Sequence, residues 1–98
     1  MSVKTKKRTQ KKETQRAHFR RRMYQRHGWR ITNNDIEEIS RAIREGESVC
    51  LGRQSLRVTL HRLTFNDKEI VVVYDTNRNQ PVTVLADDMT PQIMEEAL

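Results

Sequence analysis

The chain holds a single cysteine, Cys50, among its 98 residues. One thiol excludes an intrachain disulfide framework and a cysteine-based zinc site. It fits a reducing, cytoplasmic location. Cys50 lies between Val49 and Leu51 in a strand-like run, so it reads as a buried structural thiol. With only three glycines and two prolines, the chain has no Gly-rich phosphate loop; zincin and EF-hand motifs are also missing. The acids are scattered, and Asp87-Asp88 is only a weak metal candidate, so a two-metal nuclease is disfavoured and neither metal nor cofactor is implied. No apolar run approaches the roughly 18 residues of a membrane-spanning helix. The basic N-terminus is not followed by an apolar stretch, which excludes a secretory signal. It also lacks the apolar face or lipidation motif that would hold it on a membrane. Aromatic residues make up 5% of the chain. Most of them (Phe19, Tyr24, Trp29, Phe65 and Tyr74) have a core role available, so base-specific readout is not expected.

Acid is nearly missing from the first third. Residues 1–30 carry 12 Lys or Arg and one acid, Glu13, a net of +11; residues 31–98 carry 7 Lys or Arg and 12 acids, a net of −5. The two sum to the overall +6. A dense cationic segment attached to an acidic body gains free energy by neutralising phosphates and releasing their counterions. Nucleic acid is therefore the first partner expected.

The order of elements follows from periodicity. Residues 1–14 are basic and aperiodic, and read as a disordered tail ahead of a single domain over 15–98. Six of those fourteen are Lys or Arg (Lys4, Lys6, Lys7, Arg8, Lys11, Lys12), which makes the tail an electrostatic arm. Residues 15–27 contain no Gly, Pro or β-branched residue and stop at Gly28, which predicts a first helix. Phe19 and Met23 form its narrow apolar stripe, which places the helix at the edge of the domain. Trp29 and Ile31 anchor the chain to the core. A second helix follows within 32–47. Its cap candidates are residues 32–34, its apolar stripe is Ile36, Ile39 and Ile43, and Gly46 stops it. The rest changes to period two. Short strands are predicted at 48–51, 55–65, 69–75 and 81–86, with a hairpin turn at Asn66-Asp67-Lys68. The alternation of Leu56, Val58 and Leu60 slips at Arg62–Leu63, which suggests a bulge. The run EIVVVYD is apolar on both faces and reads as a central strand. Thr90-Pro91 opens a short C-terminal helix. Helices followed by strands predict an α+β domain: two N-terminal helices on a three- to four-stranded antiparallel sheet. The sheet face opposite the helices, flanked by the first helix, is the natural place for a site.

Metal-free chemistry on RNA needs a group to deprotonate the 2′-OH, a proton for the leaving 5′-oxygen and cations for the phosphorane. Histidine suits the proton transfers, and arginine holds phosphate oxygens in bidentate fashion. His18 and Arg22 are four apart on the first helix and share a direction, and Arg26 continues that row. His27 suits the negative end of the helix dipole. His61, Arg53 and Arg57 lie in or beside the long second-half strand and are further phosphate-binding candidates. Thr83 points away from Val82 and Val84.

On these residues the stretch of about 16–86 resembles small toxin-like domains of the barnase–EndoU–colicin–RelE ribonuclease superfamily. The resemblance lies in the H-x-x-x-R of His18 and Arg22, the later Arg26, the helix-opening Asp35-Ile36 and the closing strands IVVVYD and VTVL. It implies a helical layer before a four-stranded antiparallel sheet. It also implies a metal-independent ribonuclease site of His18, Arg22 and Thr83, with Arg53 assisting. A cognate antitoxin, immunity or host protein would be the protein partner. The function expected is a toxin-like or phage-related endoribonuclease using 2′-OH attack on free or ribosome-bound RNA. The basic head would attach it to that RNA. The alternative is a non-catalytic nucleic-acid-binding or host-modulating protein on a similar scaffold, in which the arginines supply all the affinity. A weaker third reading is an interaction protein whose acidic body engages a partner.

Overall fold

The computed structural model describes the backbone of residues 3–91 and the side chains of residues 14–91. Two helices, α1 (Val3–His27) and α2 (Asn33–Arg44), precede four strands: β1 (Val49–Arg53), β2 (Val58–Phe65), β3 (Lys68–Asp75) and β4 (Gln80–Val84). The strands form one antiparallel meander in the order β1-β2-β3-β4. The expected α+β arrangement is therefore present. Among the described residues no helix is long and apolar enough to cross a membrane.

Local chemistry explains the boundaries. Gly28 ends α1 with φ of 75° and donates its N–H to the Tyr24 carbonyl at 2.9 Å. This left-handed conformation is open to glycine at little cost. Thr32 caps α2 in a reciprocal capping box with Asp35. Asn66 and Asp67, both with positive φ, form the two-residue hairpin loop between β2 and β3, as a type I′ turn requires.

Four expectations differ from the structure. The helix expected from residue 15 begins at Val3. Lys, Arg, Gln and Glu are good helix formers, and extending a formed helix costs far less than starting one. Leu56 is not in a strand; it is 88% exposed in the turn before β2. Cys50 is exposed because β1 is an edge strand, a placement that apolar neighbours cannot reveal. Finally, β2 pairs with β3 without a bulge from Val58 to Phe65. Its apolar side chains change face instead: Leu60 pairs with Val73 on one face, and Leu63 with Ile70 on the other. The register shifts occur at Cys50/Gly52 in β1 and at Val73/Tyr74 in β3. The helix expected after Thr90-Pro91 lies outside the described residues.

The core joins Phe19 and Met23 of α1 to Ile36, Ile39 and Ile43 of α2 and to Leu63, Ile70, Val72, Tyr74 and Val84 of the sheet. Each large side chain buried this way stabilises the fold by about 1.5–3 kcal/mol. Because cross-strand partners share a face, Thr83 (paired with Val73) points to the side opposite this core.

Candidate nucleic-acid interface

Phe19 and Met23 are fully buried, and they fix the rotation of α1. A helix turns about 100° per residue. One flank of the apolar pair therefore carries Gln15, His18, Arg22 and Arg26, and this flank lies along β4. The other flank carries Arg16 and Arg20, which reach α2: Arg16 Nη2 donates to Glu37 Oε2 at 2.8 Å, and Arg20 donates to Asn33 Oδ1.

Side chains tie α1 to β4 at both ends. At one end Gln15 Nε2 donates to Asp75 Oδ2 at 3.4 Å, and Arg16 Nε to Gln80 Oε1 at 3.3 Å. Gln80 Nε2 donates in turn to Gln15 Oε1. Asp75 is buried, which alone would raise its pKa. The N–H groups of Arg78 and Asn77, the Gln15 amide and the Arg78 guanidinium outweigh this and lower it. At the other end Arg26 Nη1 donates to the Val84 carbonyl at 2.6 Å and to Thr83 Oγ1 at 3.5 Å. His27 Nε2 lies 2.9 Å from the Leu85 carbonyl. A carbonyl only accepts, so Nε2 carries the proton and Nδ1 is left to accept from Lys68 Nζ at 3.5 Å. Lys68 is also paired to Asp87 at 2.6 Å. Asp87 is thus half of an ion pair, and His27 is a structural tie.

Between these ends the row is open for other partners. His18 is half-buried and makes no hydrogen bond among the described residues. Burial lowers its pKa, and the charges of Arg22, Arg21 and Arg26 lower it further. At neutral pH its ring is mostly neutral and can accept a proton. Arg22 has one bond, Nη1 to Gln25 Oε1 at 2.9 Å, on the exposed side. A neutral imidazole and a guanidinium bonded only at Nη1 among the described residues are thus neighbours on one helix flank, with Arg26 and Thr83 joined at its end.

The remaining candidates are elsewhere. His61 is on the helix-covered face and buried. Its Nδ1 is 3.1 Å from Ser48 Oγ, its Nε2 is 2.8 Å from Thr59 Oγ1, and the Tyr74 ring meets it edge-on at 5.9 Å. Burial lowers its pKa. Arg53 is exposed on β1, and Arg57 is exposed in the turn before β2. β1 and β4 are opposite edges of the sheet, about 14 Å apart at ~4.8 Å per strand. The structure thus groups His18, Arg22, Arg26 and Thr83, and does not bring Arg53, Arg57 or His61 to them. The side chains of Lys6, Lys7, Arg8, Lys11 and Lys12 lie outside the described residues. Gln15 was missed, although it precedes His18 by three positions in the same row. Gln80 was missed because nothing local marks it.

Two shallow clefts, of about 160 and 170 Å³, flank the sheet. Both are below the ~300 Å³ at which small-molecule sites begin. Compared with known proteins, the chain matches no family model, no curated protein and no solved structure.

Proposed function

We propose that the α1–β4 row binds RNA and cleaves it without metal, as a small endoribonuclease. The observation that supports this is the placement of a neutral His18, without a hydrogen-bond partner among the described residues, beside Arg22, with Arg26 linked to Thr83 at the end of the same flank. In the reaction His18 accepts the 2′-OH proton as the 2′-oxygen attacks phosphorus. Arg22 binds the non-bridging oxygens as their charge rises, and Arg26 and Thr83 hold the end of the strand. The P–O5′ bond breaks, and the departing oxygen regains the proton from the imidazolium, directly or through a water. The products are a 2′,3′-cyclic phosphate and a 5′-hydroxyl. A toxin-like or phage-related role, a ribosome-bound substrate and an antitoxin, immunity or host partner belong to the same proposal.

A second reading, a non-catalytic nucleic-acid binder, is favoured by one observation: no described residue orients the His18 ring, whereas catalytic bases are usually held by a third group. The test is cleavage of total RNA in EDTA by wild type and His18→Ala, with the 3′ ends of the fragments analysed. Removal of the base is expected to slow cleavage by about 10²–10⁴-fold while thermal unfolding stays unchanged. A folded, fully active His18→Ala overturns the assignment of His18. Salt-sensitive binding by both proteins, with no cleavage by either, favours the binder.

A further inference from the structure

Of the five aromatic residues, four are withdrawn into the fold. Phe19 and Tyr74 are 0% and 2% exposed, and Trp29 and Phe65 pack edge-on to each other against the core. Tyr24 is different: it is 52% exposed on the most cationic element of the molecule. The chain reversal at Gly28, fixed by the bond from its N–H to the Tyr24 carbonyl, brings Arg30 back over the ring, with the guanidinium carbon 5.4 Å from the centroid. Among the described residues the Arg30 side chain has no hydrogen bond or ion pair beside this interaction. The ring is therefore met by a planar cation and remains about half exposed.

His18, Arg21 and Tyr24 are successive i, i+3 neighbours. They form a diagonal across the solvent side of α1 that spans on the order of 10–12 Å at 5–6 Å per step. Arg21 is exposed and lies between the imidazole and the phenol ring. A nucleic-acid backbone held at His18 and Arg21 would bring a neighbouring base to Tyr24. Bases within a duplex bury their faces in the stack, whereas an unpaired base offers its face to an aromatic ring or a guanidinium plane.

We propose that Tyr24, backed by Arg30, is a base-stacking platform, and that the RNA taken by α1 is single-stranded. This rests on the reading that α1 binds nucleic acid; it does not depend on cleavage. Stacking on a ring tolerates any base, so the platform selects strandedness rather than sequence.

The test is fluorescence anisotropy with the full chain and two labelled probes. One is a 12-nucleotide 2′-O-methyl RNA without self-complementarity, and the other is its duplex. Neither can be cleaved through its own 2′-oxygen. Tyr24→Ala should weaken single-strand binding by about 5- to 150-fold, the range for one lost base–aromatic stack. It should leave duplex binding within about twofold and, having removed no charge, leave the salt dependence unchanged. Tyr24→Trp should retain single-strand affinity. Arg21→Ala should weaken both probes and make the salt dependence shallower. Equal binding by wild type and Tyr24→Ala, or an equal loss on both probes, overturns the platform and leaves nucleic-acid binding standing. No binding of either probe by the wild type overturns the nucleic-acid reading itself. Far-ultraviolet circular dichroism confirms that each variant is folded, as expected for exposed positions.

Discussion

The two helices lie against the same sheet by different means. α2 presents a stripe of Ile36, Ile39 and Ile43, is closed by a capping box, and pairs Arg41 with Glu45 at 3.6 Å. Among its described residues α1 has two buried side chains, Phe19 and Met23, and its first turn holds no acid. It compensates with polar ties to β4 at both ends. One helix is arranged for folding. The other gives up apolar contact and charge balance to keep a cationic flank and an exposed ring outside. A helix that spends little of its surface on the core has surface left for a partner, and its attachment depends on a few residues.

Phe19→Ala should break this contrast most sharply. It removes half of the buried apolar pair of α1 and should cost about 3–5 kcal/mol, read as a lower urea midpoint. Ile39→Ala in α2 should cost about 2–5 kcal/mol. The two differ in kind: the loss at Phe19 should release α1 first, seen as amide exchange in α1 exceeding that in β2 and β3. Uniform exchange after Phe19→Ala would show that α1 is no more separable than α2.

The capping box offers a smaller change. Thr32→Ala should cost about 1 kcal/mol, the usual loss of such a cap, without altering the proposed nucleic-acid binding. A parallel loss of binding would mean that α2 supports the cationic flank through Arg16–Glu37.

The smallest expected effect separates the two histidines by pH. Both have a pKa below the ordinary value of 6.5, so the folded state favours the neutral ring. Their contribution to stability is complete above about pH 6.5 and is lost as pH falls through the folded-state values. Burial is the cause at His61. At His18 burial comes first and three arginines add to it. In an NMR titration, salt should therefore move His18 upward and leave His61 in place, because ions screen the arginines but do not relieve burial. Equal salt shifts at both would remove the electrostatic distinction. His61→Gln and His18→Gln should each flatten the acid limb of the stability profile.

Much of this architecture was legible in the chain. The spacing of Ile36, Ile39 and Ile43 marked α2, Gly28 and Gly46 marked its neighbouring breaks, and the run of apolar residues at 70–74 marked a central strand. These signals are local: a helix period, a left-handed glycine and a two-faced strand each act within a few residues. The row His18–Arg22–Arg26 was equally legible, since i, i+4 neighbours share a flank wherever the helix lies. Strand position was not. Cys50 and His61 are cross-strand partners on one face, yet the first is exposed and the second buried, because β1 is an edge and β2 is internal.

The sequence by itself determined the element types, their order, the split between a cationic helix and an acidic body, and which side chains line each helix flank. These follow from backbone preference and periodicity, which need no distant contact. Only the tertiary structure decided that α1 lies along β4, that Arg26 meets Thr83 across 57 positions of sequence, that His61 turns under the helices, and that Tyr24 is the aromatic left outside. Each of these depends on which surfaces are buried against each other. Burial is a property of the packed whole, so a residue's local pattern limits it without deciding it.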